Sequence, residues 1–172
     1  MEKVDIFFEK QLERTNYWLS FAEAKNAAIV ALNIAFIAAW RQIFDKSSVL
    51  FLVIVVLFAS SIIIGLVSFF PNLSLFSNTT TSAFSDLSKK SNMIYFGKIA
   101  QIKSPDIYIA NVLEKYFNKS IDIKEVSPMV YDFAEEIIIN SNIATRKYSL
   151  FKIAVVIDIF AFSLLIIAVI IA

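Results

Sequence analysis

Hydrophobic positions in this chain take two forms, continuous runs and interrupted stripes. The continuous runs occupy 26–40, 49–70 and 153–172. A bilayer's hydrocarbon core asks for roughly 20 helical residues, so the second and third runs are long enough to cross one. The first is shorter, with a helical rise of about 22 Å. Lys25 and Arg41 flank it and can reach the two interfaces, with Trp40 and Phe44 in the boundary layer. A chain of 172 residues has no interior large enough to hide all three runs.

The interrupted stripes predict amphipathic helices. Over residues 4–25, Val4, Phe7, Phe8, Leu12, Trp18, Leu19 and Ala22 recur at three- and four-residue steps. No glycine or proline separates that stretch from the first run, so one helix is expected from about Asp5 to Arg41. The second span stops at Pro71-Asn72, and its Ser60, Ser61, Gly65 and Ser68 allow close approach of a neighbouring helix. The first two spans are therefore expected to form a hairpin. Residues 71–85 are uncharged and rich in Ser, Thr and Asn, and read as a surface loop. Ser104-Pro105-Asp106 is a helix start: serine as cap, proline in the first turn, acid at the positive end of the dipole. The helix it opens carries Ile107, Ala110, Leu113, Tyr116 and Phe117 on an expected apolar face and ends near Asn118. Ser127-Pro128 repeats the signal, and no breaker follows before the C-terminus. A helix of about 45 residues is expected there, roughly 65 Å long. Its first half presents Met129, Phe133, Ile137, Ser141, Ala144, Tyr148 and Phe151 as a stripe, leaving Asp132, Glu135, Glu136 and Arg146 to water.

These readings give an all-α membrane protein with three transmembrane helices and cytoplasmic helical extensions that pack as a stalk. Its expected segments are a cytoplasmic amphipathic helix (1–25), transmembrane helix 1 (26–41), a short outside loop (42–48), transmembrane helix 2 (49–70), a cytoplasmic helical domain (71–151) and transmembrane helix 3 (152–172). Orientation follows from lysine and arginine. Residues 1–25 hold four and 71–152 hold ten, against only Arg41 and Lys46 in the short connection. The positive-inside rule then puts the N-terminus and the central region in the cytoplasm. The triplets Asn78-Thr79-Thr80 and Asn118-Lys119-Ser120 would be glycosylation acceptors only on the opposite side. The charged N-terminal stretch has no apolar core of the kind a secretory signal needs.

Composition narrows the chemistry. Cysteine and histidine are both absent, which removes disulfides, thiol nucleophiles, imidazole bases, lipidation at cysteine and most transition-metal sites. No catalytic set, cofactor site or metal set is expected, and the chain is read as a non-enzyme. The net charge of +1 gives no bulk attraction to a nucleic acid polymer.

Four places can carry function. Asp158 is the acid inside a membrane span, and such groups tend to face a bundle interior or a wet cavity. Its structural alternative is a pairing with Lys152 or a hydrogen bond with Asn26 or Asn33. In residues 92–100, Asn92 starts a segment where Tyr95 and Phe96 can stack a nucleobase, Gly97 allows close approach, and Lys98 can meet a phosphate. The alternative there is core packing ahead of a turn. Arg146, Lys147 and Tyr148 precede the third span, where they can meet headgroups or close over a phosphate. Glu23 and Lys25 stand where the first helix enters the membrane, as a polar pair at the interface.

Four segments together resemble the membrane-spanning effector family of Pycsar anti-phage defence systems. They are Glu23-Ala24-Lys25-Asn26-Ala27, Tyr95-Phe96-Gly97 followed by Ile99-Ala100, Ser104-Pro105 with Tyr108, and Ile143-Ala144-Thr145-Arg146-Lys147-Tyr148. The resemblance runs from about residue 12 onward. The family pattern favours Asp at Glu23 and an acid at Lys98. The resemblance implies an effector that answers a cyclic pyrimidine nucleotide, cyclic CMP or cyclic UMP, made by a partner cyclase. It also implies impairment of the inner membrane and abortive infection; because a single small bundle rarely makes a pore, a homo-oligomer is expected. Asn92, Tyr95, Phe96, Lys98, Arg146 and Lys147 are the expected ligand contacts, with Glu23, Lys25 and Asp158 as interfacial and intramembrane polar residues. The rival expectation is a non-conducting, membrane-anchored scaffold that recruits a cytoplasmic protein.

Overall fold

The chain was analysed as a computed structural model, which describes residues 2–40, 49–70, 92–118 and 126–171. The connection at 42–48, the loop at 71–85, Arg41, Phe44 and both glycosylation-like triplets in whole or part lie outside the described residues. Five helices account for most of what is described: α1 (Glu2–Trp40), α2 (Val49–Val67), α3 (Phe96–Ile99), α4 (Pro105–Phe117) and α5 (Pro128–Ile171). Among the described residues there is no strand. Glycine and proline punctuate the chain as expected: Pro105 and Pro128 each open a helix. Neither residue type falls within the uninterrupted α1. Ser104 accepts a hydrogen bond from the Ile107 backbone at α4's start, and Asn118 closes that helix in the left-handed region at φ 50°. Asparagine is among the few non-glycine residues that tolerate that conformation.

The chain divides into two compact units, one of residues 1–20 with 72–145 and the other of 21–71 with 146–172. The first unit has an ordinary hydrophobic core. Val4 and Phe8 of α1, Met93, Ile99 and Ile102 around α3, Tyr108, Ile109, Val112 and Leu113 of α4, and Val130, Ala134, Ile137 and Ile138 of α5 supply its buried side chains. Phe8 and Tyr108 meet edge to face at 5.6 Å. Asn140 donates to Asn16 at 2.8 Å, so the α1 and α5 portions of this unit pack side by side as the stalk reading expects.

Two faces in this unit differ from expectation. The buried side of α4 is Pro105, Tyr108, Ile109, Val112 and Leu113. Ile107 and Phe117 only flank the core, and Tyr116 is exposed. The buried stripe of α5 is Val130, Ala134, Ile137, Ile138, Ser141 and Ala144, while Met129 is exposed. The physical reason is common to both. Tyr108 buries its ring by donating its hydroxyl to the Met93 carbonyl at 3.0 Å, which turns α4 toward it and carries Tyr116 outward. α5 follows the four- and three-residue steps of Val130, Ala134, Ile137, Ser141 and Ala144, in which Met129 has no place.

The second unit is built the other way round. Its exposed side chains include Leu32, Ile34, Leu52, Val56, Ile63, Leu66, Ile159, Phe160, Ile166 and Ile170, all large and apolar. Its buried positions include Asn26, Asn33, Ser61, Ser68, Lys147 and Asp158 beside Ile54, Phe58, Ala161 and Leu165. Water would penalise such a surface heavily; hydrocarbon does not. Among the described residues three helices, α1, α2 and α5, are long and apolar enough to cross a membrane. The chain is a membrane protein. Gly65 lets α1 and α2 meet, since a Cβ there would stand 2.5 Å from the Val30 side chain.

Candidate functional site

In the first unit the segment from Asn92 to Lys98 is fixed from three sides. The Asn92 side-chain oxygen accepts from the backbone of Ile94 and Tyr95 at 2.8 and 3.2 Å, a turn closed by its own first residue. Gln11 of α1 donates to the Ile94 carbonyl at 2.7 Å, and Tyr108 holds the carbonyl of Met93. Burial raises the Tyr108 phenol's pKa, with the nearby Tyr116 adding to the effect. Phe96 is 6% exposed, with its ring against Trp18 at 5.7 Å and Tyr95 at 4.8 Å. Its face is occupied by the core, which is the packing alternative for this residue. Tyr95 is half exposed and lies back over Gly97, where an added Cβ would come within 2.7 Å of the ring. Lys98 is exposed.

Beside this segment lies a half-open cavity of about 260 Å³, lined by Met93, Asn111, Glu114, Lys115 and Asn118. Asn111, Glu114 and Lys115 lie three and four positions apart on α4, so one edge of the helix presents them, and Asn118 joins them from its C-terminal cap. Two amides, a carboxylate and an ammonium there match the groups of a small polar anion: hydrogen-bonding edges, hydroxyls and one negative charge. The sequence reasoning missed this set. The signal was the polar repeat of Asn111, Glu114 and Lys115 along the edge of α4 that flanks Tyr108.

The second unit holds two polar layers. In the first, the Lys147 ammonium donates to the Ser68 carbonyl at 2.9 Å and pairs with Glu23 at 3.1 Å, with the Phe69 ring 5.5 Å away. Arg146 donates to the Phe70 carbonyl at 3.1 Å. These two cations therefore satisfy carbonyls just past the end of α2, where the helix leaves acceptors without partners. Asn26 donates to the carbonyls of Ala22 and Lys147 at 2.9 and 3.2 Å, tying α1 to α5. Lys25 sits among three aromatic rings, Phe21, Phe151 and Tyr148, at 4.6, 5.3 and 5.5 Å.

The second layer lies seven residues further along α1, from Asn26 to Asn33, and seven residues back along the second span, from Ser68 to Ser61. Asn33 of α1 donates to Ser61 of α2 at 2.9 Å and to both carboxylate oxygens of Asp158 of α5 at 3.0 and 3.2 Å. Ser61 also donates to the Ala154 carbonyl at 3.4 Å. Each of the three spans thus contributes one buried side chain to a single clasp. Of the pairings open to Asp158, the structure takes Asn33; Asn26 is bound elsewhere and Lys152 is exposed. Sequence reasoning reached Asp158 but gave Ser61 only the role of a small residue. Among the described residues no cluster of three or more Asp and Glu side chains is arranged to hold a metal.

Comparison with known proteins gives one result. A family model described as the Pycsar effector protein domain matches residues 7–172. No curated protein and no solved structure matches the chain.

Proposed function

The chain belongs to the Pycsar effector family and is an anti-phage defence effector, and we propose that its first unit binds a cyclic pyrimidine nucleotide made by a partner cyclase and that the spans then open a leak. The membrane is the inner membrane, with the N-terminus in the cytoplasm, and the leak ends in abortive infection. The ligand is cyclic CMP or cyclic UMP. The cavity on α4 is its best-supported seat: Asn111 and Asn118 suit the pyrimidine edge, Glu114 a ribose hydroxyl and Lys115 the phosphodiester. Tyr95, Asn92 and Lys98 stand on the segment that supplies Met93 to this cavity, and Tyr95 offers the exposed ring for stacking. Phe96 supports that ring from behind.

The observation that carries the reading is the buried polar seam of the second unit. An inert anchor needs no Asn33, Ser61 or Asp158 inside it, and intramembrane polar groups of this kind mark wet or switching sites. α1 and α5 each run without a break from one unit into the other. A ligand with different affinities for two packings of these helices shifts them, and without that difference nothing moves. Arg146 and Lys147 act here as the latch on the end of α2, with Glu23 as counter-charge. A single three-helix bundle is too narrow for a pore, so the open state is a homo-oligomer.

The test is membrane potential in cells expressing the protein. Supplying cyclic CMP or cyclic UMP depolarises cells with the native chain, and Asn111→Leu abolishes the response without loss of protein from the membrane. Depolarisation by neither nucleotide refutes the effector mechanism; an unaltered response in Asn111→Leu refutes the seat on α4. The scaffold reading predicts no conductance under any condition.

A further inference from the structure

The Asp158 carboxylate is 5% exposed and its described partners are neutral, the amide of Asn33 and the hydroxyl of Ser61. α1 presents Asn33 to it, α2 presents Ser61, and on its own helix the neighbouring buried positions are Ala154 and Ala161. No charged described side chain faces it from any of these elements. The Glu23–Lys147 pair is the buried cation nearest along α5, eleven residues away or about 16 Å of helix. A carboxylate placed so in an apolar bundle without a compensating positive charge is strongly disfavoured.

A second feature of the same clasp points the same way. Asn33 is 0% exposed, yet its side-chain oxygen has no hydrogen-bond partner, while its nitrogen is shared among three acceptors. A surplus of acceptors over donors marks the cluster: two carboxylate oxygens, the serine oxygen, the Ala154 carbonyl and the asparagine oxygen. What the set lacks is one positive charge. A proton would turn Asp158 into a donor and let acid and amide pair at two points. An alkali ion would instead be met by oxygen ligands of the hard type such ions prefer.

We propose that the Asn33–Ser61–Asp158 clasp is a binding site for a monovalent cation, a proton or an alkali ion, which neutralises Asp158 in the assembled bundle. The closed packing of the spans is then linked to the concentration of that cation. The inference does not depend on the nucleotide reading, because its readout is the stability of the membrane unit without any nucleotide present.

The experiment follows thermal unfolding of the full chain in detergent by its helical signal. One arm exchanges choline chloride for sodium chloride at constant ionic strength; the other lowers the pH in choline chloride alone. A tenfold rise in the bound cation above its dissociation constant moves the midpoint upward by roughly 3 to 5 °C. A sodium-dependent shift identifies the alkali ion, and a shift with acid alone identifies the proton. Asp158→Asn, neutral and nearly isosteric, abolishes the sodium shift and removes from the acid shift the part that belongs to Asp158. Should that variant fail to fold, infrared spectra of the native chain labelled at aspartate decide the matter. A carboxylic-acid band at neutral pH, or a carboxylate band that moves on adding sodium, supports the site. Equal shifts in the native chain and Asp158→Asn, or labelled spectra without either band change, overturn it.

Discussion

Replacing Lys147 by Met removes one ammonium and keeps most of the side chain's volume, so it isolates the charge at the end of α2. The native ammonium makes two polar contacts of unequal worth. Its hydrogen bond to the Ser68 carbonyl is buried and 2.9 Å long, and Lys147's side chain is 9% exposed. Hydrogen bonds of this charged kind contribute about 1.5–3 kcal/mol. The pair with Glu23 spans 3.1 Å, but the Glu23 side chain is 48% exposed, so screening reduces its share to about 0–1 kcal/mol. Lys147→Met should therefore destabilise the membrane unit by about 2–4 kcal/mol, and Glu23→Gln by less than about 1 kcal/mol. The Glu23 variant's deficit should shrink in high salt, and the Lys147 variant's only by the small share that belongs to the pair. The assay is thermal unfolding in detergent, joined to a nitroxide placed at a cysteine substituted for Phe69. The chain has no cysteine of its own, so the label reports a single site. It should gain mobility in Lys147→Met and remain ordered in Glu23→Gln. Equal losses in the two variants, or an immobile label in Lys147→Met, would refute the assignment of Lys147 as the latch on α2.

Other consequences can be checked on the first unit and the clasp. Ser104→Ala removes the side-chain acceptor for Ile107 and should cost about 1 kcal/mol, read as a lower urea midpoint for the first unit's unfolding with an unchanged slope. Burial raises the folded Tyr108 pKa above its ordinary 10.0. The folded state therefore holds that proton more firmly than the unfolded state, and this contribution to stability is lost as pH rises past 10.0. Tyr108→Phe should start less stable by about 1 kcal/mol and show a shallower alkaline decline, measured by unfolding at a series of pH values. Asn33→Ala leaves Ser61 and Asp158 without their shared donor and should destabilise the spans by about 1–3 kcal/mol; Ser61→Ala should cost less, since Asn33 keeps Asp158. Thermal unfolding of the two variants side by side ranks them.

The boundaries of the helices were largely legible before any coordinates, because their causes are local. Pro105 and Pro128 open helices wherever the fold puts them, Ser104 caps its own turn, and a run without glycine or proline continues as α1 does. The runs at 49–70 and 153–172 likewise require lipid by length alone. Faces were less legible. Met129 fits a helical repeat as well as Val130 does, and only the partner helix chooses between them. Gln11 and Thr15 are polar yet buried in α1 at 2% and 0% exposure, and the Ile94 carbonyl that accepts from Gln11 comes from a segment no local rule pairs with α1.

The same division runs through the candidate site. Asp158, Lys147 and Glu23 declared themselves by residue type and depth in the sequence, since charge near hydrocarbon is costly anywhere. Their partners did not. Asn33 and Asp158 are 125 residues apart in sequence, and no local rule relates them; three helices had to pack before an amide, a hydroxyl and a carboxylate met. The membrane setting and the helical register belong to the chain as written, because they follow from transfer energies and backbone geometry residue by residue. Which polar groups satisfy one another, which aromatic ring stays exposed and where a cavity opens belong to tertiary packing, because each depends on atoms brought in from another helix.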